Sequence, residues 1–365
     1  MKNKIIIAID SFKGCLTSVE ANEAATEAIR SRMKDAEIVQ VPVSDGGEGF
    51  LDAFRVAIGG NEIKVATKDA LMRPIFARYL LQGETAVIEI AQASGLTLLQ
   101  TEERNPLVAT SYGTGLMVAD AVRRGAKHII VGLGGSATSD AGIGMLRALI
   151  DTFAPSHFAR RWDDIEVLKD VHFTIATDVK NPLCGKNGAA FVFAPQKGAT
   201  PDMVRQLDDR ARRFAEISAK HFGYDCQNSV GAGAAGGIGY AFLQYMNATC
   251  KPGIELLLET INFKEIVSDS NLVITGEGSA DKQTLMGKLP MGILRQSGDV
   301  PVCLIAGRIN NEEDLRKIGF ADIRCINPEN ISLEEAMRKD VAIQNIKNTI
   351  SSICVNTKLL WRRKS

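Results

Sequence analysis

What the chain lacks narrows its class before any motif is considered. Its seven cysteines (15, 184, 226, 250, 303, 325, 354) are odd in number, scattered, and form no C-x-x-C pair. That excludes a disulfide framework and a thiolate zinc site, and it suits a reducing compartment. No apolar run approaches the roughly 18 residues of a membrane-spanning helix. Residues 5–9, ahead of Asp10, are too short for a secretory core and lack a small-residue cleavage site. A cytoplasmic chain without a membrane partner is the expectation. An excess of one charge is missing too: 43 Lys and Arg meet 43 Asp and Glu, a formal net charge of zero. Nothing global favours nucleic acid as a partner.

Several catalytic signatures are also absent. No G-x-x-x-x-G-K-[ST] exists, because Gly287-Lys288 is followed by Leu289 and lacks the upstream glycine. The protein-kinase motif set and the G-x-S-x-G elbow are missing. The histidines at 128, 157, 172 and 221 show no metal spacing. His128 and His172 stand at strand starts and read as structural or solvent-facing.

What remains is an ordinary globular composition, 45% hydrophobic and 24% charged, in 365 residues, a length that suits two domains. Residues 5–9 form a continuous apolar run, as expected of a strand buried on both faces. Thr17-x-x-Glu20 is a capping box that opens a helix striped by Leu16, Val19, Ala25, Ala28, Ile29 and Met33. Residues 38–43 read as a second strand. After Gly59-Gly60 the runs at 62–66, 77–81 and 85–90 have short connections, which suit antiparallel strands. A helix near 115–124, strands at 128–131, 171–177 and 189–194, and a polar helix near 202–220 follow. From 262 the β/α alternation returns, with strands at 272–275, 302–306 and 323–326 and a long helix over 342–360. Two N-terminal and three C-terminal strands make five, enough for a flavodoxin-like sheet. The fold expected is α/β: a flavodoxin-like domain (1–60 and 262–365) with a five-stranded parallel sheet, interrupted by an inserted α+β domain (61–261).

Glycine and polar residues collect directly after strands, where doubly wound sheets bind ligands. Asp10, Asp45, Glu277 and Arg308 each lie just beyond a strand of the five-stranded set and should share one edge. Asp and Gly in such places also form turns and helix caps, so one of them alone decides little. Residues 132–140 follow a strand and open a helix, which presents free N–H groups and a positive dipole end to an anion. Residues 231–236 match G-x-G-x-x-G in letters, but the polar stretch before them is no strand, so the dinucleotide fingerprint fails its context. The segment reads as a helix N-terminus allowing close backbone approach, either to phosphate or to a packed neighbour. Asp178 follows another strand, and residues 275–278 with 281–284 form a further polar cluster. Carboxylates so placed can ligate Mg²⁺ or take a hydroxyl proton, and Lys13, Lys282 and Arg308 can neutralise phosphate or carboxylate.

Several segments stand in collinear order: DSFKG at 10–14, DGGEG at 45–49, TSYGTG at 110–115, GGSAT at 134–138, ATDV at 176–179 with NPL at 181–183, and APQKG at 194–198. GAGAAGG at 231–237, PGIE at 252–255, ITGEG at 274–278, Asp281, Gln283-Thr284 and Gly287-Lys288 complete the set. Together they resemble the bacterial glycerate kinase family, built on a flavodoxin-like domain with an inserted second domain. Any one segment is weak; the ordered set is specific. The chain departs from the family pattern at Ser279, where Arg is usual, at Ser139 and Ala141 for Asn and Gly, at Phe50 for Thr, and at Cys15 for Ser. Residues 148–171 form a shorter segment than in relatives. No departure removes an acidic residue of the motifs, so activity is expected.

The resemblance implies transfer of the γ-phosphoryl group of ATP to a hydroxyl of D-glycerate, with 2-phosphoglycerate favoured over 3-phosphoglycerate. It implies ATP and Mg²⁺ as cofactors and D-glycerate as the small-molecule partner. Asp178, Asp45, Asp10 and Lys13 are the candidate catalytic residues, and Asp178 and Glu48 the candidate Mg²⁺ ligands. Gly134, Gly135, Ser136, Thr138, Gly231, Gly233, Gly236, Glu277 and Lys282 are assigned to the nucleotide. Asp281, Gln283 and Arg308 are assigned to glycerate. The alternatives are a sugar-acid sensor that binds without turnover, a kinase of a related small hydroxy acid, and a nicotinamide-dependent oxidoreductase motivated by residues 231–236. As base or metal ligand, Asp178 makes a direct prediction. Asp178→Asn should lower kcat by about 100-fold or more with folding unchanged, as steady-state kinetics and a thermal melt will show. Near-wild-type turnover would remove Asp178 from the chemistry.

Overall fold

The computed structural model describes residues 3–44, 47, 49–154, 161–281, 284, 289–310 and 312–356. Among them, the strands are β1 (Lys4–Ile9), β2 (Glu37–Gln40), β3 (Asn61–Lys68), β4 (Pro74–Gln82), β5 (Thr85–Glu89) and β6 (His128–Gly132). They continue with β7 (His172–Ala176), β8 (Thr249–Lys251), β9 (Leu272–Ala280), β10 (Val302–Ile309) and β11 (Asp322–Cys325). The chain divides into two compact units, one of Met1–Asp45, Asp52–Ile58 and Ile254–Ser365, the other of Gly46–Leu51 and Gly59–Gly253. No helix among the described residues is long and apolar enough to cross a membrane.

The first unit holds a wholly parallel five-stranded sheet in the order β11-β10-β9-β1-β2. Counted by its own strands this is the flavodoxin-like order 2-1-3-4-5, with the winding reversing between β1 and β9. The unbroken apolar run of β1 has a direct cause: Ile5 through Ile9 are all fully buried, as a central parallel strand requires. Ile5, Ile7 and Ile9 pack with Ala21, Ala25 and Ile29 of the helix Ser18–Arg32 and with Ile346 and Ile350 of the helix Lys339–Asn356. The expected capping box forms. Thr17 Oγ1 accepts from the Glu20 N–H at 3.2 Å, and Glu20 Oε2 accepts from the Thr17 N–H at 3.0 Å. Lys339 then pairs with Glu20 and ties the two helices together.

The second unit is a six-stranded sheet in the order β3-β4-β5-β6-β7-β8, antiparallel from β3 to β5 and parallel from β5 to β8. Its core gathers Tyr79, Ile88, Ile129, Val131 and Ile175 from the strands with Met117 and Met145 from two helices, Tyr112–Arg123 and Ile143–Phe153. Those helices approach closely at Gly115, where a Cβ would stand 2.4 Å from the Met145 carbonyl oxygen. His128 and His172 face each other across β6 and β7 with ring centroids 5.5 Å apart, both exposed.

Two local expectations are corrected, and one strand is added that the sequence reading does not contain. Residues 189–194 are no strand: Ala189–Phe193 is a helix. Ala190 and Ala194, four apart, are buried with Val204 and Leu207, while Phe191 and Val192 are exposed, so the stretch has a helical rather than an alternating pattern. Strands β9 and β10 outlast their apolar runs, with Ala306 opposite Glu277 and Arg308 opposite Ser279. Glu277 and Arg308 therefore lie on strands rather than beyond them. Strand β8, at three residues, is too short to show a period.

Ile346 is fully buried between helix and sheet in the first unit. Ile346→Ala should destabilise the protein by roughly 2–5 kcal/mol, measured by urea unfolding; a loss below about 1 kcal/mol would show that this helix is not part of the cooperative core.

Candidate functional site

In the first unit the site residues sit where the winding reverses. Asp10 leaves β1 with its N–H on the Gly276 carbonyl at 2.9 Å, and its Oδ1 accepts from the Ser11 N–H at 2.7 Å. Phe12 and Leu16 exchange backbone hydrogen bonds of 2.9 Å each, closing a tight loop that carries Lys13 at its exposed turn. Glu277 is 7% exposed, and its Oε1 accepts from the Thr284 hydroxyl at 2.6 Å. That hydroxyl also accepts from the Asp281 N–H at 3.0 Å, so Glu277, Thr284 and Asp281 form one connected group. Asp10, Phe12, Lys13, Glu277, Ser279 and Arg308 line a cavity of about 340 Å³. Two buried carboxylates and two exposed cations thus share one pocket, with Phe12 as part of its apolar wall. The structure brings together Asp10, Lys13, Glu277 and Arg308, with Asp281 bonded alongside. Asp45, Glu48, Lys282 and Gln283 lie outside the described residues.

In the second unit the register aligns Glu89, Gly132, Ala176 and Lys251 across the carboxyl ends of β5 to β8. The loop 134–140 leaves β6 at this edge, and Asp178 leaves β7 there as an exposed residue. Among the described residues no acceptor receives the backbone N–H groups of Gly134, Gly135 and Ser136. The hydroxyls of Thr138 and Ser139 are buried and, among the same residues, also without a partner. Free donors crowd this loop.

Asp140 is in the opposite condition. Its Oδ2 accepts from the Ser111 N–H and hydroxyl at 2.8 Å each and from the Gly144 N–H at 3.1 Å, and Oδ1 accepts from the Gly142 N–H at 3.1 Å. It organises the turn into the helix Ile143–Phe153 and has little capacity left for a ligand.

Beneath the loop lies a residue that sequence reasoning assigned no role. Lys197 is 3% exposed, and its Nζ donates to Ser136 Oγ at 2.8 Å and to the Thr138 carbonyl at 2.6 Å. Burial pushes this ammonium down to about 7, against the opposing pull of the Asp140 charge. Its sequence context, Pro195 before and Gly198 after, reads as a turn, and no local signal marks a lysine for burial. Glu89 was likewise overlooked: it is 4% exposed at the end of β5, and Oε2 accepts from the Leu51 N–H at 3.2 Å.

Residues 231–237 pack against the same loop. The Ala141 N–H donates to the Gly236 carbonyl at 3.0 Å, and the Gly233 N–H donates to Asn181 O at 2.9 Å. The short helix at 234–237 runs into the helix Ile238–Met246. Gly231, Gly233 and Gly236 each have a neighbour within 2.7 Å of where a Cβ would stand, so their bareness serves close packing. Among the described residues no group of three or more His, Cys, Asp or Glu side chains gathers as a metal cage. Mg²⁺ commonly keeps several waters and takes one or two carboxylates plus substrate phosphates, and the exposed hard oxygens of Asp178 fit that mode. The Asp178 charge also reaches Cys250, adding to the burial that raises this thiol.

An α/β protein with a flavodoxin-like sheet, a second sheet and glycine-rich loops at the carboxyl ends of parallel strands is the class these features define. The family model described as "Glycerate kinase family" matches residues 5–358. The chain is 40% identical over 376 residues to glycerate kinase of Bacillus subtilis (strain 168), covering 98% of both chains. It is 39% identical over 328 residues to glycerate 2-kinase of Escherichia coli (strain K12), covering 85% of this chain and 86% of that one. The crystal structure of a candidate glycerate kinase 2 from Salmonella typhimurium LT2 superposes with a TM-score of 0.81 at 34% identity, over 98% of this chain and 99% of that one. The chain belongs to the glycerate kinase family.

Gly236 has φ +66°, and a Cβ there would stand 2.0 Å from the Thr138 carbonyl oxygen. Gly236→Ala should therefore destabilise the protein by at least about 2 kcal/mol and disturb the loop 134–140. Chemical unfolding measures the first effect; unchanged stability would mean that the two segments do not bear on each other.

Proposed function

We propose that this protein transfers the γ-phosphoryl group of Mg-ATP to the 2-hydroxyl of D-glycerate, giving 2-phosphoglycerate and ADP. The observation that carries the reading is the loop 134–140, with free N–H groups above a buried lysine, in a chain of the glycerate kinase family. Phosphoryl transfer asks the protein for positioning and charge neutralisation rather than covalent chemistry. Backbone donors at Gly134, Gly135 and Ser136 suit phosphate oxygens. Gly231, Gly233 and Gly236 let the supporting segment pack close enough to shape them. The name of the Escherichia coli relative, glycerate 2-kinase, supports the 2-position.

In the reaction the glycerate hydroxyl oxygen bonds to the γ-phosphorus as the bond to the β,γ-bridging oxygen breaks, and the hydroxyl proton passes to a carboxylate. Asp178 and Asp45 are assigned as that base or as Mg²⁺ ligands, with Glu48 also toward the metal; Mg²⁺ supplies charge neutralisation of the phosphates. Lys13 and Lys282 are assigned to neutralising phosphate, Asp10 with Lys13 to the catalytic set, and Glu277 to the nucleotide. Arg308 suits the glycerate carboxylate, with Asp281 and Gln283 toward its hydroxyls. The exposed guanidinium and the connected Asp281 N–H, Thr284 and Glu277 group support that division.

A coupled ADP-release assay with Mg-ATP and D-glycerate, followed by NMR of the product, tests this. Turnover with phosphate on carbon 2 is expected. Phosphate on carbon 3 overturns the regiochemistry, and glycerate binding without ADP release from folded protein overturns the kinase reading in favour of a sensor.

A further inference from the structure

We propose that Lys197 is a positioning residue: it holds the loop 134–140 in its anion-binding shape and places a positive charge beneath it, without touching the phosphates itself. This rests on the reading that the loop receives the phosphates of ATP.

Lys197 reaches the loop from a separate element, the short helix Pro195–Lys197 closed by Gly198. Its two hydrogen bonds fall on Ser136 Oγ and the Thr138 carbonyl, one on each side of Ala137. A single Nζ therefore fixes the curvature of the stretch that follows Gly134 and Gly135. Both acceptors are neutral. Among the described residues no carboxylate hydrogen-bonds to Nζ, and Asp140, whose charge acts on it, has both oxygens occupied by Ser111, Gly142 and Gly144. The Arg104 backbone carbonyl lies against Gly198, and among the described residues its buried Nε has no partner. A cation buried among neutral acceptors is costly, because its solvation is lost without an ion pair to replace it. An anion bound on the loop would supply the missing partner. Burial already lowers the ammonium to about 7, so Lys197 gives up its proton far more readily than an exposed lysine. Phosphate above the loop would draw a proton onto Nζ.

The test is the pH dependence of Mg-ATP binding to the whole protein, read by calorimetry at pH 7 and pH 9, where the nucleotide phosphates are ionised. Wild type should lose up to about tenfold in affinity per pH unit, the limit for one linked proton. Lys197→Met should bind at least about tenfold more weakly at pH 7, and the gap should close toward pH 9. Repeating the titration in buffers of different ionisation enthalpy should show proton uptake by wild type and none by the variant. A lysine that merely filled space would lower affinity by one factor at both pH values, so parallel profiles overturn the proposal. Should a thermal melt show that Lys197→Met does not fold, Ser136→Ala carries the test. It removes one neutral acceptor and keeps the ammonium, so the wild-type pH slope should persist; flat profiles in both proteins overturn the proposal. None of these readouts requires turnover. Wild type that binds Mg-ATP with the expected slope but leaves glycerate unphosphorylated refutes the reaction and keeps the role of Lys197. Absence of Mg-ATP binding at both pH values refutes the loop as a phosphate site, and the proposal with it.

Discussion

Parallel strand pairing is the constraint on which the rest of this structure depends. Every strand of a parallel set ends at the same edge, so the loops leaving those ends are gathered whether or not they are close in sequence. In the first unit this brings Asp10, after β1, beside Glu277 on β9, residues separated by most of the chain. In the second, β5 is the strand that changes the pairing: antiparallel to β4, parallel to β6. Its carboxyl end thereby joins those of β6, β7 and β8, and Glu89, the loop 134–140 and Asp178 collect along one row.

Hydrogen-bond satisfaction then separates the finished parts of that row from the receptive ones. Buried polar groups normally find partners, and Asp140 shows how fully, with four donors on two oxygens. It stands in a glycine-rich loop at a strand end, the position where a carboxylate invites a catalytic reading, yet its chemistry is consumed in shaping the turn. A few residues earlier the situation reverses. Among the described residues, backbone donors at 134–136 and the hydroxyls of Thr138 and Ser139 have no partners, over a cation held by neutral oxygens. The loop is thus rigidly built around Asp140 and carries unpaired donors, among the described residues, at its other end.

Much of the fold was legible because its determinants are local. The apolar run of β1, the Thr17-x-x-Glu20 box and the glycines after β6 each state their structure within a few residues. Legibility failed where the determinant was a distant contact. Nothing near 189–194 distinguishes a buried alanine face from a strand until Val204 and Leu207 supply the surface that covers it. Strands β9 and β10 continue through Glu277 and Arg308 because their ladder persists after the apolar residues stop. Lys197 is the sharpest case. Its burial is decided by a loop some sixty residues earlier in the chain, and lysine in a Pro-Gly context reads as a surface turn. In the same way, Gly231, Gly233 and Gly236 announced close approach but not what approaches, which the structure shows to include neighbouring backbone.

The balance of charge gives the buried lysine its physical meaning. With 43 positive and 43 negative side chains, the protein has no net charge with which to attract a polyphosphate. Exposed cations such as Lys13 and Arg308 are screened by salt and well solvated, so each is a modest source of attraction. A charge held out of water is screened far less, and its field acts over the loop directly above it. Arginine in that place would stay charged at all times, and an empty site would bear the full burden of a buried, unpaired cation. Lysine can release its proton when the loop is empty and regain it when an anion arrives. The site can therefore be buried enough for its charge to matter without destabilising the unliganded fold to the same degree.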